Sequence, residues 1–496
     1  MRIAKAEYWP VSVPYTHREN SFQVNRDGVT DVVIRLTTDD GIVGWGESCS
    51  GANVESIHEA LKGMEPIFMG RDPWNRDALH HDVYRRGIWN FREPTMNFAW
   101  AGIDMALWDI CGKACGQPVY NLLGGLRRKS VDYFYYLSYA DHKGLRAECQ
   151  GGVEGGYTVF YRKVGVDIDA EVEAIKLIRE IIGPRGKIRI DSNEAWTVAE
   201  ATRNLDRLDQ YHIDFSEQPV PADPIDNMLE LKARTRVPLC SNEGLWRVTD
   251  AWNVIRNRVC EVLCYSPYWV GSLSQFKHLS HAAALEGLTV CKHTHGELAI
   301  AAAASHQVLL TLPRIVDGHQ HTANMMEDDL AEIPIATSPH WDVPPGVGLG
   351  IDVDEEKVSR YHEVYREHGQ FMPYDLQRVR DRHLQHHDQR FELHPVDDLH
   401  LGSIRLRHRQ LDVRPELQPL LLAFDDSVRE RGLCRRQRDH PGQRHGPLDL
   451  RLPACGQLRR HHLRAGQRQH PRRRHDGDDL RGAERGPVHD QRLHRG

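Results

Sequence analysis

No stretch of this chain approaches the roughly 20 consecutive apolar residues needed to span a bilayer, so no membrane partner is expected. The start, Met1-Arg2-Ile3-Ala4-Lys5-Ala6-Glu7, reads as a strand, because no apolar core of a signal peptide follows it. Ten cysteines are scattered without a CxxC pair or zinc-type spacing. Neither a disulfide scaffold nor a structural zinc site is indicated, and reduced thiols in the cytoplasm are the plain expectation. An excess of positive charge is missing too: the formal net charge of −6 gives no reason to expect nucleic acid as a partner. Lysine is absent after Lys357, where Arg, His, Gln, Asp, Gly and Pro dominate. Segments such as Pro471-Arg472-Arg473-Arg474-His475-Asp476 have no hydrophobic period. Interspersed acids and scarce aromatics weigh against a basic tail for nucleic acid or acidic lipid. Residues 376–496 therefore read as a disordered extension, or as a GC-rich gene read out of frame, and carry no assigned function.

What is present is ordinary for a soluble globular protein, with 40% hydrophobic and 27% charged residues over a length of 496 that allows two or three domains. Val32, Ile34 and Leu36 alternate with Val33, Arg35 and Thr37, and Asp39-Asp40-Gly41 supplies a hairpin turn before Ile42-Val43-Gly44-Trp45. Helical spacing follows between about 54 and 115, as in Ala101 to Ile110. The run Pro118 to Gly125 closes an α+β domain, residues 1–125. From 126 to 335 short apolar runs alternate with amphipathic helices, such as Asp169 to Ile182 with Val172, Ile175, Ile178 and Ile182 on one face. That alternation predicts a parallel sheet with crossover helices, closed as a barrel. A strand-poor stretch, 336–375, is expected to return to the first domain.

Five side chains end or closely follow short apolar runs in the middle of the chain: Lys163, Asp191, Glu217, Glu243 and His293. The three acids are 26 residues apart, Lys163 comes 28 before the first and His293 comes 50 after the last. One strand, loop and helix of an eight-unit barrel of about 250 residues occupies roughly such an interval. All five would then converge at the same end of the barrel. Three carboxylates there suit a hard cation, and a Lys facing a His could move a proton.

In these residues the chain resembles the enolase superfamily, specifically its mandelate racemase/muconate lactonizing enzyme family. Asp191-Ser192-Asn193, Glu217-Gln218-Pro219 and Ser241-Asn242-Glu243 look like the three metal-ligand strand ends. Leu122-Leu123-Gly124-Gly125 and Gly348-Leu349-Gly350 resemble the landmarks that flank the barrel, and the likeness covers about residues 1–375. It implies an α+β capping domain over a modified TIM barrel, with Mg²⁺ on Asp191, Glu217 and Glu243. It also implies abstraction of the proton next to a substrate carboxylate, whose developing charge the cation neutralises. A homo-oligomer is implied as well.

The family's Lys-x-Lys corresponds to Tyr161-Arg162-Lys163, so Lys163 takes the proton-abstracting position and Tyr161 replaces the other lysine. The metal and Arg162 are left to depress the lysine pKa. His293 resembles the seventh-strand base of the mandelate-racemase branch, and His295 is the competing choice. The sixth-strand Asp that orients that base is replaced by Ser266, which also excludes the sixth-strand lysine of the cycloisomerase branch. Substrate contacts are expected among His17, Asn193, Tyr161, His295 and His319; the loop Tyr15 to Asn20, the segment Cys49 to Asn53, and Asp317, His321 and Glu327 are further candidates. The implied reaction is dehydration of a small hydroxy or sugar acid, or its racemisation or epimerisation. A cycloisomerase is the alternative, and a catalytically poor binding relative is a further one.

Overall fold

The computed structural model describes residues 1–371 apart from 21–24, 50–52, 88 and 139–140; side chains at 20 and 25 are also outside the description. The Arg- and His-rich segment 376–496 and part of the Cys49 to Asn53 loop thus lie outside the described residues.

Three antiparallel strands open the chain: β1 (Ile3–Asn20), β2 (Asn25–Thr38) and β3 (Val43–Cys49). The turn between β2 and β3 falls at Asp39-Asp40-Gly41, where Gly41 supplies the left-handed φ of 85° that a residue with Cβ adopts only at a cost. Helices α1 (Val54–Phe68), α2 (Arg76–Arg86) and α3 (Thr95–Ala114) cover one face. Helix α3 is buried on every side over most of its length, as its all-round apolar sequence requires. It lies directly on β3, because a Cβ at Gly44 or Gly46 would collide with the α3 backbone. Its other side is fastened to the barrel: Asn97 Nδ2 donates to Trp269 O at 2.8 Å, and Leu273 N donates to Asp104 Oδ2 at 2.8 Å.

After a short strand β4 (Ser130–Asp132), seven parallel strands follow in sequential order: β5 (Tyr135–Leu137), β6 (Val159–Lys163), β7 (Lys187–Asp191), β8 (Ile213–Glu217), β9 (Leu239–Ser241), β10 (Val262–Tyr265) and β11 (Thr289–Lys292). Helices cross between them, which makes a modified TIM barrel beneath the α+β capping layer. The eighth strand is where the structure departs from a regular closed barrel. The segment after residue 314 makes only isolated bridges, Val290 to Ile315 and Tyr133 to His319. Gly318 has a φ of 70°, and a Cβ there would press into Val159. Arg189 substitutes for the missing ladder. Its guanidinium, buried at 1% exposure, donates to Gly318 O and Asp317 O and pairs with Asp214 Oδ2 at 2.8 Å.

A last strand β12 (His340–Asp342) pairs with β4, and the helix Glu355–His368 returns to β1. There His362 Nδ1 meets Pro10 O at 2.7 Å and Arg35 pairs with Glu355 at 2.6 Å. Among the described residues no helix is long and apolar enough to cross a membrane, and all eight cysteines are free.

Candidate active site

Period-two alternation decides which side chains enter the barrel. On β6, Tyr161 and Lys163 point inward while Arg162 is on the opposite face, where it donates to Ser138 O at 3.2 Å. Arg162 is therefore not the group that tunes Lys163, contrary to the sequence expectation. Instead, Lys163 Nζ lies 2.6 Å from Asp191 Oδ2 and donates to Asn193 Oδ1 at 2.8 Å. Burial disfavours the ammonium, yet Asp191, Glu19 and Glu217 together hold its pKa above the ordinary lysine value. Tyr161, stacked on Phe134, donates its hydroxyl to the same Asp191 oxygen at 2.5 Å.

The acids sit at or just past strand ends, each held by a different partner. Asp191 Oδ1 accepts from Asn193 N at 2.8 Å, Glu217 Oε2 accepts from Gln320 Nε2 at 2.6 Å, and Glu243 Oε1 accepts from Asn193 Nδ2 at 3.0 Å. The backbone turns sharply behind them: Asn193, Glu194 and Gln218 have φ of 44°, 64° and 30°. Such conformations cost roughly 1–3 kcal/mol each and persist where the surroundings impose them. Burial, followed by the charge of Asp191, pushes Glu217 well above the carboxylate range and Glu243 up to about 8. The buried oxygens Glu217 Oε1 and Glu243 Oε2 have no protein partner. Carboxylates that cannot all ionise together, with two orphaned oxygens, are a donor set that a hard divalent cation fits. Lys163, Asn193 and Gln320 hold the three acids as a wider set than the two groups whose ligating atoms lie within 4.8 Å of one another, Glu217–Cys240–Cys264 and Asp31–Glu47–Cys49.

His293 stands one residue past β11, buried, with its ring 4.4 Å from Trp269 and 4.8 Å from His295 between ring centres. Its Nδ1 faces the Tyr268 hydroxyl at 3.3 Å. Ser266 instead turns its hydroxyl to His293 O at 3.1 Å. Burial, then the neighbouring His295 and Lys163, drives the imidazole pKa well below its usual value. His295 is pushed down to about 3 by burial and by the charges of Arg26 and Lys163. Both imidazoles are therefore held neutral in the absence of a bound anion.

The capping domain supplies Glu19, from the loop Tyr15 to Asn20 that the sequence singled out, and Arg26, which it did not. Glu19 on β1 is buried, pairs with Arg26 Nε at 2.7 Å and accepts from Tyr136 OH of β5 at 2.9 Å. A Cβ at Gly296 would touch both Arg26 and Tyr15, so the β1–β2 hairpin closes directly on the loop after His293. His17 Nε2 lies 3.7 Å from Glu148 of the helix His142–Glu154. His319 lies behind β11, its Nδ1 accepting from Lys292 N at 2.8 Å, in an aromatic layer with Tyr133. Gln320 and Tyr268, which do face the site, carried no sequence signal beyond their closeness to strand ends.

A capping layer over a parallel barrel, with acids at consecutive strand ends, defines the class, and residue matches agree. Residues 11–124 match the N-terminal domain of mandelate racemase / muconate lactonizing enzyme, and residues 144–357 match the enolase C-terminal domain-like family. The chain belongs to the mandelate racemase/muconate lactonizing enzyme family of the enolase superfamily, a superfamily of Mg²⁺-using enzymes. Among its relatives, an N-succinyl-L-Arg/Lys racemase of Bacillus cereus is 28% identical over 74% of this chain and 100% of its own length. An arabinonate dehydratase of Saccharolobus solfataricus is 28% identical over 66% of this chain and 90% of its own. The crystal structure of a muconate lactonizing enzyme from Pseudomonas fluorescens, in complex with muconolactone, superposes with a TM-score of 0.68 at 27% identity. That match covers 73% of this chain and 99% of the other.

Proposed function

We propose that this enzyme removes the proton next to the carboxylate of a small hydroxy or sugar acid and expels water from the neighbouring carbon, as a dehydratase. The observation that carries the reading is the opposition of a buried Lys163, held by Asp191 and Asn193, to a buried His293 held by Tyr268. Asp191, Glu217 and Glu243 would hold a Mg²⁺ ion, whose chemistry is Lewis-acid neutralisation of charge on the substrate carboxylate. Lys163 would take the α-proton as its neutral amine, after the ammonium held by Asp191 and Asn193 has lost its own proton. His293 gives a proton to the departing hydroxyl. The substrate's negative charge, arriving beside His293, raises the depressed His293 pKa toward protonation. We assign to the capping segments 1–125 and 336–375, in their described residues, the exclusion of water from the barrel, 126–335.

A second reading, racemisation or epimerisation, has its own support: a His293 held neutral is already a base. Cycloisomerisation lacks the sixth-strand lysine, since Ser266 is there and its hydroxyl is engaged.

Proton NMR in D₂O, with Mg²⁺ and a panel of sugar acids, hydroxy acids and muconolactones, tests the proposal. A keto-acid product indicates dehydration, and deuterium at the α-carbon without loss of water indicates racemisation. Lys163→Ala is expected to lower either rate by about 10²–10⁴-fold. Activity retained in that variant would refute the assigned role of Lys163.

A further inference from the structure

Beneath the mouth, the barrel interior is lined by thiols. Cys240, Cys264 and Cys291 come from the consecutive strands β9, β10 and β11, and all three are fully buried in a small cluster with Phe215 and Val262. Cys264 and Cys291 are direct register partners, as are Glu217 and Cys240. The Cys264 thiol contacts those of both neighbours. Above them hangs Glu217, itself 0% exposed, whose Oε1 has no hydrogen-bond partner. One carboxylate oxygen of Glu217 and the sulfurs of Cys240 and Cys264 lie within 4.8 Å of one another.

We infer that these residues form a soft-metal site, distinct in ligand chemistry from the carboxylate set above it, that takes a thiophilic divalent ion such as Zn²⁺ or Cd²⁺. A tetrahedral zinc with sulfur bonds of about 2.3 Å needs ligand atoms roughly 3.8 Å apart, so the observed set closes with sub-ångström to ångström movements. Thiolate and carboxylate together select such ions over Mg²⁺, which prefers oxygen alone. On binding, each ligating thiol loses its proton to solvent. Two thiolates and one carboxylate on a divalent ion leave one net negative charge, and Lys163, whose charge already acts on Glu217, lies near enough to offset it. The other compact set, Asp31, Glu47 and Cys49, is less suited. Glu47 there accepts Leu298 N at 2.7 Å and Ala301 N at 3.0 Å, and Lys292 supplies a cation of its own. Glu217 is shared between the thiols and the acids of the mouth, so a soft ion bound below withdraws an oxygen from the hard-ion set. The inference rests on the geometry and not on the proposed reaction.

Cd²⁺ titration of the reduced, chelator-treated full chain tests it. One equivalent is expected to produce the ultraviolet sulfur-to-cadmium charge-transfer band with proton release, and Zn²⁺ is expected to show a sulfur shell near 2.3 Å by X-ray absorption. Cys240→Ala and Cys264→Ala are each expected to weaken Cd²⁺ binding at least about ten-fold, a loss of roughly 1.4 kcal/mol. Cys264→Val guards against a cavity artefact, and circular dichroism and melting establish that each variant is folded. Cys115→Ser, at an exposed position, is expected to keep the band. Absence of the band in the wild type, or its persistence in a folded Cys240→Ala/Cys264→Ala variant, overturns the assignment. Mg²⁺-dependent exchange, measured without cadmium, separates the two proposals. Exchange without a band sinks only the thiol site, and a band without exchange sinks only the proposed reaction.

Discussion

Tyr268 holds its hydroxyl 3.3 Å from Nδ1 of His293, so a phenol meets the imidazole that Ser266 leaves without a side-chain partner. The same hydroxyl accepts from His295 N at 2.9 Å and lies 3.1 Å from His293 O, which fixes the turn after β11 as well as the ring. A neutral phenol can orient an imidazole but cannot stabilise its cation as a carboxylate does. Tyr268→Phe is expected to lower kcat by about ten-fold with little change in KM, because positioning and not substrate affinity is lost. Ser266→Asp is expected to move the histidine limb of the pH–rate profile upward by about 1–3 units. Profiles that coincide with the wild type in both variants would leave Tyr268 with a purely structural role.

The crowded acids make a prediction about pH. Burial and the charge of Asp191 raise the Glu217 pKa above its ordinary 4.5 in the folded chain. Above that value the unfolded chain releases its proton while the folded chain keeps it, so stability falls as pH rises toward the elevated pKa. Glu217→Gln removes that loss and is expected to melt higher than the wild type at pH 8 in chelator. Mg²⁺ at about 100 times its Kd is expected to stabilise the wild type by about 2.7 kcal/mol, and the Gln variant by clearly less at the same concentration. Equal melting shifts in the two proteins would count against Glu217 as a ligand.

His306 predicts the opposite slope in acid. It is fully buried between Tyr133 OH at 3.0 Å and Asp342 O at 3.0 Å, stacked on Trp341, and burial lowers its pKa from 6.5 to about 3. Between those values the unfolded chain takes up a proton that the folded chain refuses. Stability therefore drops as pH falls below about 6.5, by about 2 kcal/mol at pH 5 from this group. Urea unfolding of His306→Asn at pH 5 and 7 should show a smaller difference than the wild type. An unchanged difference would assign the acid sensitivity to other groups.

Arg189 closes the barrel where the eighth strand fails to pair. Arg189→Met keeps the stem over Phe215 but leaves Asp214 and two carbonyls without their donor. Denaturant unfolding should report a loss of about 1–3 kcal/mol, the usual cost of leaving buried acceptors without their donor. A loss below about 1 kcal/mol would show that the isolated bridges suffice.

The strand ends were legible because apolar runs stop where a barrel strand leaves the core. Lys163, Asp191 and Glu217 each close a run, and each is the last residue of β6, β7 and β8. The side of Arg162 was legible too, since period two places it opposite Lys163, although the sequence reading set that rule aside. His17 and His319 have partners that the sequence does not reveal, for a plain reason. A histidine near a strand end looks the same in sequence whether it faces the barrel mouth, an outer helix residue such as Glu148, or the layer behind β11.

The sequence by itself determined the elements, their order and the intervals that bring five chemical groups to one end, because those depend on local pattern and on the length of a repeating unit. Only the tertiary structure decided their partners. Gln320 meets Glu217 across 103 residues, Tyr136 meets Glu19 across 117 and Tyr268 meets His293 across 25. Local propensity carries no record of such pairs. They are set by which side chains the closed packing buries together, since a buried polar group must find its partner wherever the fold has brought one.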